Sequence, residues 1–149
     1  MDLEPFNILI VEDEEAHAAL TERAIRKAGR ANRIDIVTDG EEALDYLFNC
    51  RKYSDASKYP CPGLIVLDIK LPGIDGIEVL RRIKTHPVLK KIPVIMLTTS
   101  KREEDIAASY GSYANSYLTK PVGFKEFEAK VMQIETYWMK LNEPPVIED

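Results

Sequence analysis

Residues 64–76 read LIVLDIKLPGIDG, a stretch that joins an apolar run to a carboxylate and then to a proline-containing turn. Four consecutive apolar residues are typical of a strand that is buried on both faces, as in a parallel sheet. Asp68 follows this run directly. Aspartate is also a common turn residue, because its short side chain accepts hydrogen bonds from nearby backbone N–H groups. The stretch alone therefore predicts a buried strand and leaves Asp68 open as either a turn residue or a functional carboxylate.

The rest of the chain alternates between short apolar runs and helical patterns. The helical patterns place apolar residues three and four positions apart, and they stop at glycine or before proline. This alternation predicts a doubly wound α/β fold, in which right-handed crossovers build a five-stranded parallel sheet with helices on both faces. Strands are predicted at residues 7–11, 33–38, 64–67, 94–97 and 116–119, and helices at 15–28, 41–48, 75–84, 103–110 and 124–141.

Length and composition bound the possible functions. The 149 residues suit a single domain, with a core at about 6–141 and a short tail at 142–149. Net charge is −5 and the 20 basic residues are scattered, so we expect no direct nucleic-acid partner. No apolar run approaches the roughly 20 residues that span a bilayer, and we expect a cytoplasmic protein with no membrane partner. Cys50 and Cys61 lack metal-ligand spacing and are expected to be free thiols.

Polar groups follow four of the predicted strands. Glu12 and Asp13 follow the first strand, Asp68 the third, Thr98 the fourth and Lys120 the fifth. In open α/β sheets the ligand site lies at the carboxyl ends of the strands. Three carboxylates at this edge repel one another, so either one is protonated or a cation neutralises them. Oxygen-only ligands favour Mg²⁺, and a lysine suits phosphate.

Plainer interpretations of the same residues remain open. Glu12 and Asp13 also fit the start of a helix, where acidic side chains are favoured. Lys120 also fits a solvated strand end. His17 is expected on the surface of the first helix and His86 precedes a proline, so neither is assigned a role.

Four motifs together carry a family resemblance: VEDEE, LIVLDIKLPGIDG, VIMLTTS and SYLTKP. With them the chain resembles a CheY-like response-regulator receiver domain over nearly its whole length. The resemblance implies a flavodoxin-like sheet with strand order 2-1-3-4-5. It also implies a phosphoacceptor protein in two-component signalling or a phosphorelay, which catalyses its own Mg²⁺-dependent phosphotransfer and slow self-dephosphorylation rather than acting on a separate substrate.

The resemblance assigns roles to the acidic residues. Asp68 is the expected nucleophile, which accepts a phosphoryl group from a phosphohistidine on a sensor histidine kinase or a phosphotransfer protein. Asp13, Asp68 and the backbone carbonyl of Lys70 are the expected ligands of Mg²⁺, with Glu12 binding directly or through water. Positioning and charge neutralisation account for most of the catalysis of phosphoryl transfer, which is consistent with these assignments.

The resemblance also implies a phosphate site and a switch. Lys120, Thr98 and the N–H of Thr99 are expected to contact the phosphoryl group, and Tyr117 is expected to rotate from an exposed to a buried position. The output surface is then the face of the fourth helix, fifth strand and fifth helix, which would bind a downstream protein or a second copy of the chain. Tyr117 is also a good strand former on a half-buried surface, an explanation that needs no switching role.

Three sequence features modify these expectations. Residues 113–115 read YAN where many relatives place glycine before the fifth strand, so the output face is expected to differ. The long connection at 49–63, whose role the sequence does not assign, and the ending QIETYWMKLNEPP resemble stand-alone regulators of phytochrome-type kinases. With only a short tail after the last helix, we expect no attached output domain, and signalling through a surface.

Two other classes fit less well. A flavodoxin-like electron carrier would need N–H donors for a phosphate after the first strand, but this loop is acidic and reads EDEEAH. A phosphate-independent module of the same fold would be expected to lack the acidic pocket, Asp68, Thr98 or Lys120, and all of these are present.

Overall fold

The computed structural model describes residues 6–28, 31–98, 116–119 and the single residues 106, 111, 125 and 129. Its continuously described ranges contain five strands and three α-helices. Two short 3-10 turns, Arg51–Tyr53 and Leu89–Lys91, precede the third and the fourth strand. The strands are β1 (Phe6–Val11), β2 (Ala31–Val37), β3 (Leu64–Leu67), β4 (Val94–Thr98) and β5 (Ser116–Thr119), and the helices are α1 (Glu15–Ala28), α2 (Gly40–Leu47) and α3 (Gly76–Thr85).

All strands of the sheet are parallel, in the order β2-β1-β3-β4-β5. This is the predicted order. The chain enters at β1, goes to one side for β2, and then crosses to the other side for β3, β4 and β5. The order therefore reverses between β1 and β3, and the crevice outside the carboxyl ends of these two strands is the place where such sheets bind ligands.

The sheet is buried on both faces, which explains its continuous apolar strands. Successive side chains of a strand point to opposite faces. In β1, Leu9 and Val11 pack with α2 and α3, whereas Ile8 and Ile10 pack with α1. The predicted placement of helices on both faces is confirmed.

Helices α2 and α3 begin in the same way, with the sequences DGEE and DGIE. The Asp39 carboxylate accepts a hydrogen bond from the N–H of Glu42 (2.7 Å), and that of Asp75 accepts one from Glu78 (3.0 Å). Each aspartate has extended backbone angles and is the N-cap, so α3 begins one residue later than predicted. The first helical residue is a glycine in both helices, Gly40 and Gly76, although glycine has a low helix propensity.

Several predictions concern residues outside the described part of the chain. The helices predicted at 103–110 and 124–141 are described only at the single residues given above, and the residues 113–115 and the tail at 142–149 lie outside the description altogether. Within the described residues, neither Cys50 nor Cys61 forms a disulfide, as expected.

Among the described helices, none combines the length and the apolar character needed to cross a bilayer.

The connection at 49–63 is built around three tyrosine rings. Tyr46 of α2, Tyr53 and Tyr59 have ring centroids 4.8–5.7 Å apart. The side-chain amide of Asn49 donates to the carbonyl oxygens of Tyr53 (3.0 Å) and Tyr59 (2.9 Å), and Arg33 of β2 donates to the carbonyl oxygen of Lys58. The connection is therefore fixed to β2 and α2 by rings and hydrogen bonds.

Two hydroxyl groups of this cluster donate to carboxylates. Tyr46 donates to Asp35 (2.5 Å) and Tyr53 donates to Glu42 (2.6 Å). Burial first, and then the hydrogen bond to Asp35, raise the pKa of Tyr46 well above its ordinary value. The same two causes, with Glu42 as acceptor, raise the pKa of Tyr53 to about 12.

Because the pKa values of Tyr46 and Tyr53 are raised, we expect the protein to lose stability in alkaline solution. Below the ordinary tyrosine pKa of 10, the hydrogen bonds of both side chains stabilise the folded state in full. This stabilisation is lost as the pH rises from 10 through the raised pKa values of the folded protein. We expect the free energy of unfolding to fall between pH 10 and 12. The variant Tyr46→Phe should have a lower free energy of unfolding than the parent at pH 7. Above pH 10 its free energy of unfolding should fall less steeply than that of the parent, by up to about 1.4 kcal/mol per pH unit. Urea unfolding at a series of pH values measures both slopes, and equal slopes would contradict the prediction.

Candidate functional site

Three carboxylates meet where the order of strands reverses. Glu12 and Asp13 follow β1, and Asp68 follows β3. Backbone hydrogen bonds extend the sheet to these positions, since the N–H of Glu12 donates to Val37 (3.0 Å) and that of Asp68 donates to Val11 (3.1 Å). One carboxylate oxygen from each of the three residues lies within 4.8 Å of the others. The predicted grouping of these side chains is confirmed by their positions.

The three side chains differ in exposure. Glu12 is 3% exposed and Asp68 is 7% exposed, whereas Asp13 lies on the surface. Two unit charges 4 Å apart interact by about 1 kcal/mol in bulk water and by about 4 kcal/mol at the effective dielectric near a protein surface. Like charges at this spacing therefore oppose folding unless a cation or a proton compensates them.

Backbone groups orient two of the carboxylates. The N–H of Lys70 donates to Oδ1 of Asp68 (3.3 Å), and the N–H of Glu14 donates to Oε2 of Glu12 (3.2 Å). Each contact joins a side-chain oxygen to the backbone N–H two residues later, and for Asp68 this is the contact of an Asx turn. The turn interpretation and the functional interpretation of Asp68 are therefore compatible, because the turn holds the carboxylate at the crevice.

The glycine at the start of α3 lies directly behind Asp68. The N–H of Gly76 donates to the carbonyl oxygen of Ile69 (2.7 Å). A methyl group in place of its hydrogen would lie 1.9 Å from the carbonyl oxygen of Asp68 and 2.7 Å from the Cα of Ile69. Only glycine fits there, and α3 consequently packs close to the backbone that carries the carboxylate.

The remaining predicted site residues are described to different extents. Lys70 is exposed and lies in the loop after β3, two residues beyond Asp68. Thr98 ends β4 opposite Thr119 of β5, but its side chain is outside the description. Tyr117 of β5 is partly buried and packs against the core on the α2 and α3 side. Thr99 and Lys120 lie outside the described residues.

Two glycines that the sequence interpretation left out belong to the surroundings of the site. Gly76 packs against Asp68, and Gly40 at the start of α2 approaches the loop after β3, since a methyl group there would lie 2.3 Å from the carbonyl oxygen of Ile74. The repeated pattern of aspartate, glycine, any residue and glutamate at 39–42 and 75–78 is the signal that could have identified them.

The donor set fits a hard cation. Carboxylate oxygens are the ligands that Mg²⁺, Mn²⁺ and Ca²⁺ take in proteins, and the described cluster offers three of them with no histidine or cysteine among them. An exposed member, Asp13, leaves one side of the cluster open to water and to a further ligand.

Comparison with known proteins gives a consistent result. A family model described as the response regulator receiver domain matches residues 8–132. The probable methanogenesis regulatory protein FilR2 of Methanothrix harundinacea is 41% identical over 142 residues, which are 95% of this chain and 89% of that protein. Response regulator Rcp1 of Synechocystis sp. is 40% identical over 136 residues, covering 91% of this chain and 90% of that protein.

Solved structures resemble the fold over most of its length. The crystal structure of the phosphorylated cyanobacterial phytochrome response regulator RcpA aligns with a TM-score of 0.81 and 37% identity, covering 95% of this chain and 99% of that chain. The Mn(2+)-bound form of Rcp1 aligns with a TM-score of 0.79 and 39% identity, covering 95% and 100% of the two chains.

Proposed function

The chain belongs to the response regulator receiver family, and from this membership we propose that Asp68 is its phosphoryl acceptor. The observation that carries the proposal is the grouping of Asp68 with Glu12 and Asp13 at the sheet edge where the strand order reverses. The donor is a phosphohistidine on a sensor histidine kinase or a phosphotransfer protein.

The transfer forms one bond and breaks one bond. A carboxylate oxygen of Asp68 attacks the phosphorus, the bond between phosphorus and the histidine nitrogen breaks, and the imidazole keeps the electron pair and takes up a proton. The N–H of Lys70 donates to Oδ1 of Asp68 and so helps to fix the orientation of the carboxylate. Most of the rate of such reactions comes from positioning and from neutralisation of charge.

We propose Mg²⁺ as the cation of the site, held by Asp13, Asp68 and the carbonyl oxygen of Lys70, with Glu12 bound directly or through water. The acidic cluster supports this assignment, and the Mn(2+)-bound form of Rcp1 supports a divalent cation in a related protein. When bound, the cation offsets the repulsion among the carboxylates and between them and the incoming phosphoryl group.

Three further residues are proposed to contact the phosphoryl group: Lys120, the hydroxyl of Thr98 and the N–H of Thr99. Their support is their position in the sequence, at the end of β4 or directly after β4 and β5, since the carboxyl ends of parallel strands share one edge of a sheet. Lysine supplies a compact positive charge to a phosphate oxygen, and threonine supplies a donor.

Thr98 and Tyr117 are proposed to couple this contact to an output surface made by β5 and the two helices predicted beside it. We expect phosphorylation to strengthen binding of a downstream protein or a second copy of the chain by about 5- to 150-fold, the usual range for coupled sites. Sedimentation with and without beryllofluoride and Mg²⁺ tests self-association, and a partner pull-down tests the other case. Equal behaviour of both states in both assays would leave the surface without a signalling role.

A phytochrome-type kinase acting in the cytoplasm is the proposed source of the phosphoryl group. The support is similarity alone, since RcpA is named as a cyanobacterial phytochrome response regulator and aligns over 95% of this chain.

The proposed function is tested by incubating the protein with phosphoramidate and Mg²⁺ and measuring the intact mass. One added phosphoryl group is expected, and its removal by hydroxylamine would identify an acyl phosphate. An unchanged mass, under conditions that label a known receiver domain, would contradict the function.

A further inference from the structure

The loop of residues 69–75 joins β3 to α3 and is confined from two sides by glycine. We call it the acceptor loop. A methyl group on Gly76 would lie 1.9 Å from the carbonyl oxygen of Asp68, directly before the loop, and one on Gly40 would lie 2.3 Å from the carbonyl oxygen of Ile74, near its end. Both neighbours are backbone atoms, so no side-chain rotation relieves either clash. A side chain at either position must displace the backbone.

Helix α2 is the less movable partner in the contact between Gly40 and Ile74. Ala43, Leu44 and Leu47 of α2 are buried in the core, and Asp39 caps its first turn. The N–H of Thr38 also donates to Oε1 of Glu42 (2.9 Å). A close-packed helix resists translation, because any shift forces the residues around it off their rotamers.

The acceptor loop is the more movable partner. Pro72 and Gly73 are exposed and Ile74 is only partly buried, whereas Ile69 and Leu71 at the start of the loop are buried. Gly73 has a φ of 73°, in the left-handed region that glycine adopts without strain. A methyl group on residue 40 is therefore expected to push Ile74 and the middle of the loop away from α2.

A displaced acceptor loop changes the surroundings of Asp68. Lys70 is the second residue of the loop, and its N–H donates to Oδ1 of Asp68 (3.3 Å). Its carbonyl group is also a proposed cation ligand. A shift of the loop thus alters both the orientation of the acceptor carboxylate and one ligand of the cation.

We propose that Gly40 is a positioning residue for phosphoryl transfer, which acts through the carbonyl group of Ile74 and the acceptor loop. The proposal rests on the proposed function of Asp68. What the position requires is the absence of a Cβ atom rather than conformational freedom, since Gly73 is the glycine with positive φ in the described part of the chain.

Gly40→Ala is the test variant. We expect its Mg²⁺ dissociation constant to rise by about tenfold and its rate of labelling by phosphoramidate to fall by about tenfold, since a displacement of about 1 Å can cost up to about 100-fold in rate. Both constants are measured on folded protein at low temperature, with trimethylamine N-oxide added, because this osmolyte favours the folded state of a destabilised variant.

Two control variants separate positioning from general destabilisation. Leu89→Ala removes a side chain that is 2% exposed, next to the start of β4 and therefore at the opposite edge of the sheet. It should lower the melting temperature and leave both constants within about twofold of the parent values. Gly111→Ala places its methyl group in open space on a helical residue, so it should leave both constants within about twofold of the parent values without lowering the melting temperature.

A double variant identifies the contact responsible. The methyl group of Gly40→Ala also lies 3.0 Å from Cγ2 of Val79. Adding Val79→Ala removes this side-chain contact but leaves the clash with Ile74, so both constants should stay impaired. Recovery of the parent constants in the double variant, or parent constants in Gly40→Ala itself, would overturn the proposal. A parent protein that phosphoramidate does not label would refute the proposed function, while its Mg²⁺ constant still tests Gly40.

Discussion

Asp68→Asn should abolish labelling by phosphoramidate, the largest effect expected of any single substitution. The amide has no anionic oxygen to attack the phosphorus, and it removes one charge from the proposed cation site. The substitution preserves size and shape, and the amide oxygen can still accept the N–H of Lys70 that Oδ1 of Asp68 accepts in the structure. Intact mass as a function of time measures the loss.

Asp75→Asn is the matched control for this experiment. Asp75 is exposed and caps α3, seven residues along the chain from Asp68. Asparagine caps helices as well as aspartate does, so this variant should fold and be labelled at the parent rate. Labelling of Asp68→Asn at the parent rate would exclude Asp68 as the acceptor, whereas loss of labelling in both variants would point to an effect of charge rather than of the nucleophile.

Asp13→Asn should remove most of the stabilisation that Mg²⁺ gives to the protein. At a concentration 100 times the dissociation constant, a ligand stabilises the folded state by about 2.7 kcal/mol. If the substitution weakens binding by about 100-fold, the same concentration gives only about 0.4 kcal/mol. With saturating Mg²⁺ the parent should be more stable than the variant. Without Mg²⁺ the variant should be more stable than the parent, because one of three clustered charges has been removed. Thermal melts over a range of Mg²⁺ concentrations measure both effects.

Glu14→Gln is the matched control for the metal experiment. Glu14 is exposed, follows Asp13 directly, and lies outside the described cluster of three carboxylates. Its substitution removes the same formal charge and should leave the Mg²⁺ dissociation constant within about twofold. If Asp13→Asn and Glu14→Gln weaken Mg²⁺ binding equally, the cation is attracted by the general negative charge of this edge and is not bound by Asp13.

The sequence predicted most of the strands because the sheet is covered on both faces. LIVL and SYLT are observed as β3 and β5 with the predicted ends, and α1 also has its predicted ends. The start of β2 was predicted two residues late, at 33 instead of Ala31. Ala31 pairs with Phe6 at the beginning of β1, and backbone pairing of this kind leaves no apolar pattern in the sequence.

Features that depend on tertiary contacts were not predicted. The turn at Leu89–Lys91 is held by Lys84 of α3, whose ammonium group donates to the carbonyl oxygens of Lys90 (3.1 Å) and Ile92 (2.5 Å). It is also held by His86, whose Nδ1 accepts the N–H groups of Val88 and Leu89. These contacts join residues whose spacing has no periodic signature, so periodicity could not reveal them.

The candidate site was predicted as a set of residues but not as a geometry. The order of strands, implied by the family resemblance, was enough to place Glu12, Asp13 and Asp68 together. Their difference in burial was not predictable, since Glu12 and Asp13 are adjacent acids and only the three-dimensional course of the chain turns Glu12 inward. The contact of Gly40 with Ile74 likewise follows from the packing of two helix ends against one loop.

Borohydride reduction of the labelled protein, followed by peptide mass mapping, tests the assignment of Asp68 most directly. Hydride cleaves an aspartyl phosphate and converts the aspartate to homoserine, so the modified position is read from the peptide fragments. We predict homoserine at position 68, dependent on both phosphoramidate and Mg²⁺. Homoserine at Asp13 or another aspartate, with position 68 unmodified, would contradict the assignment.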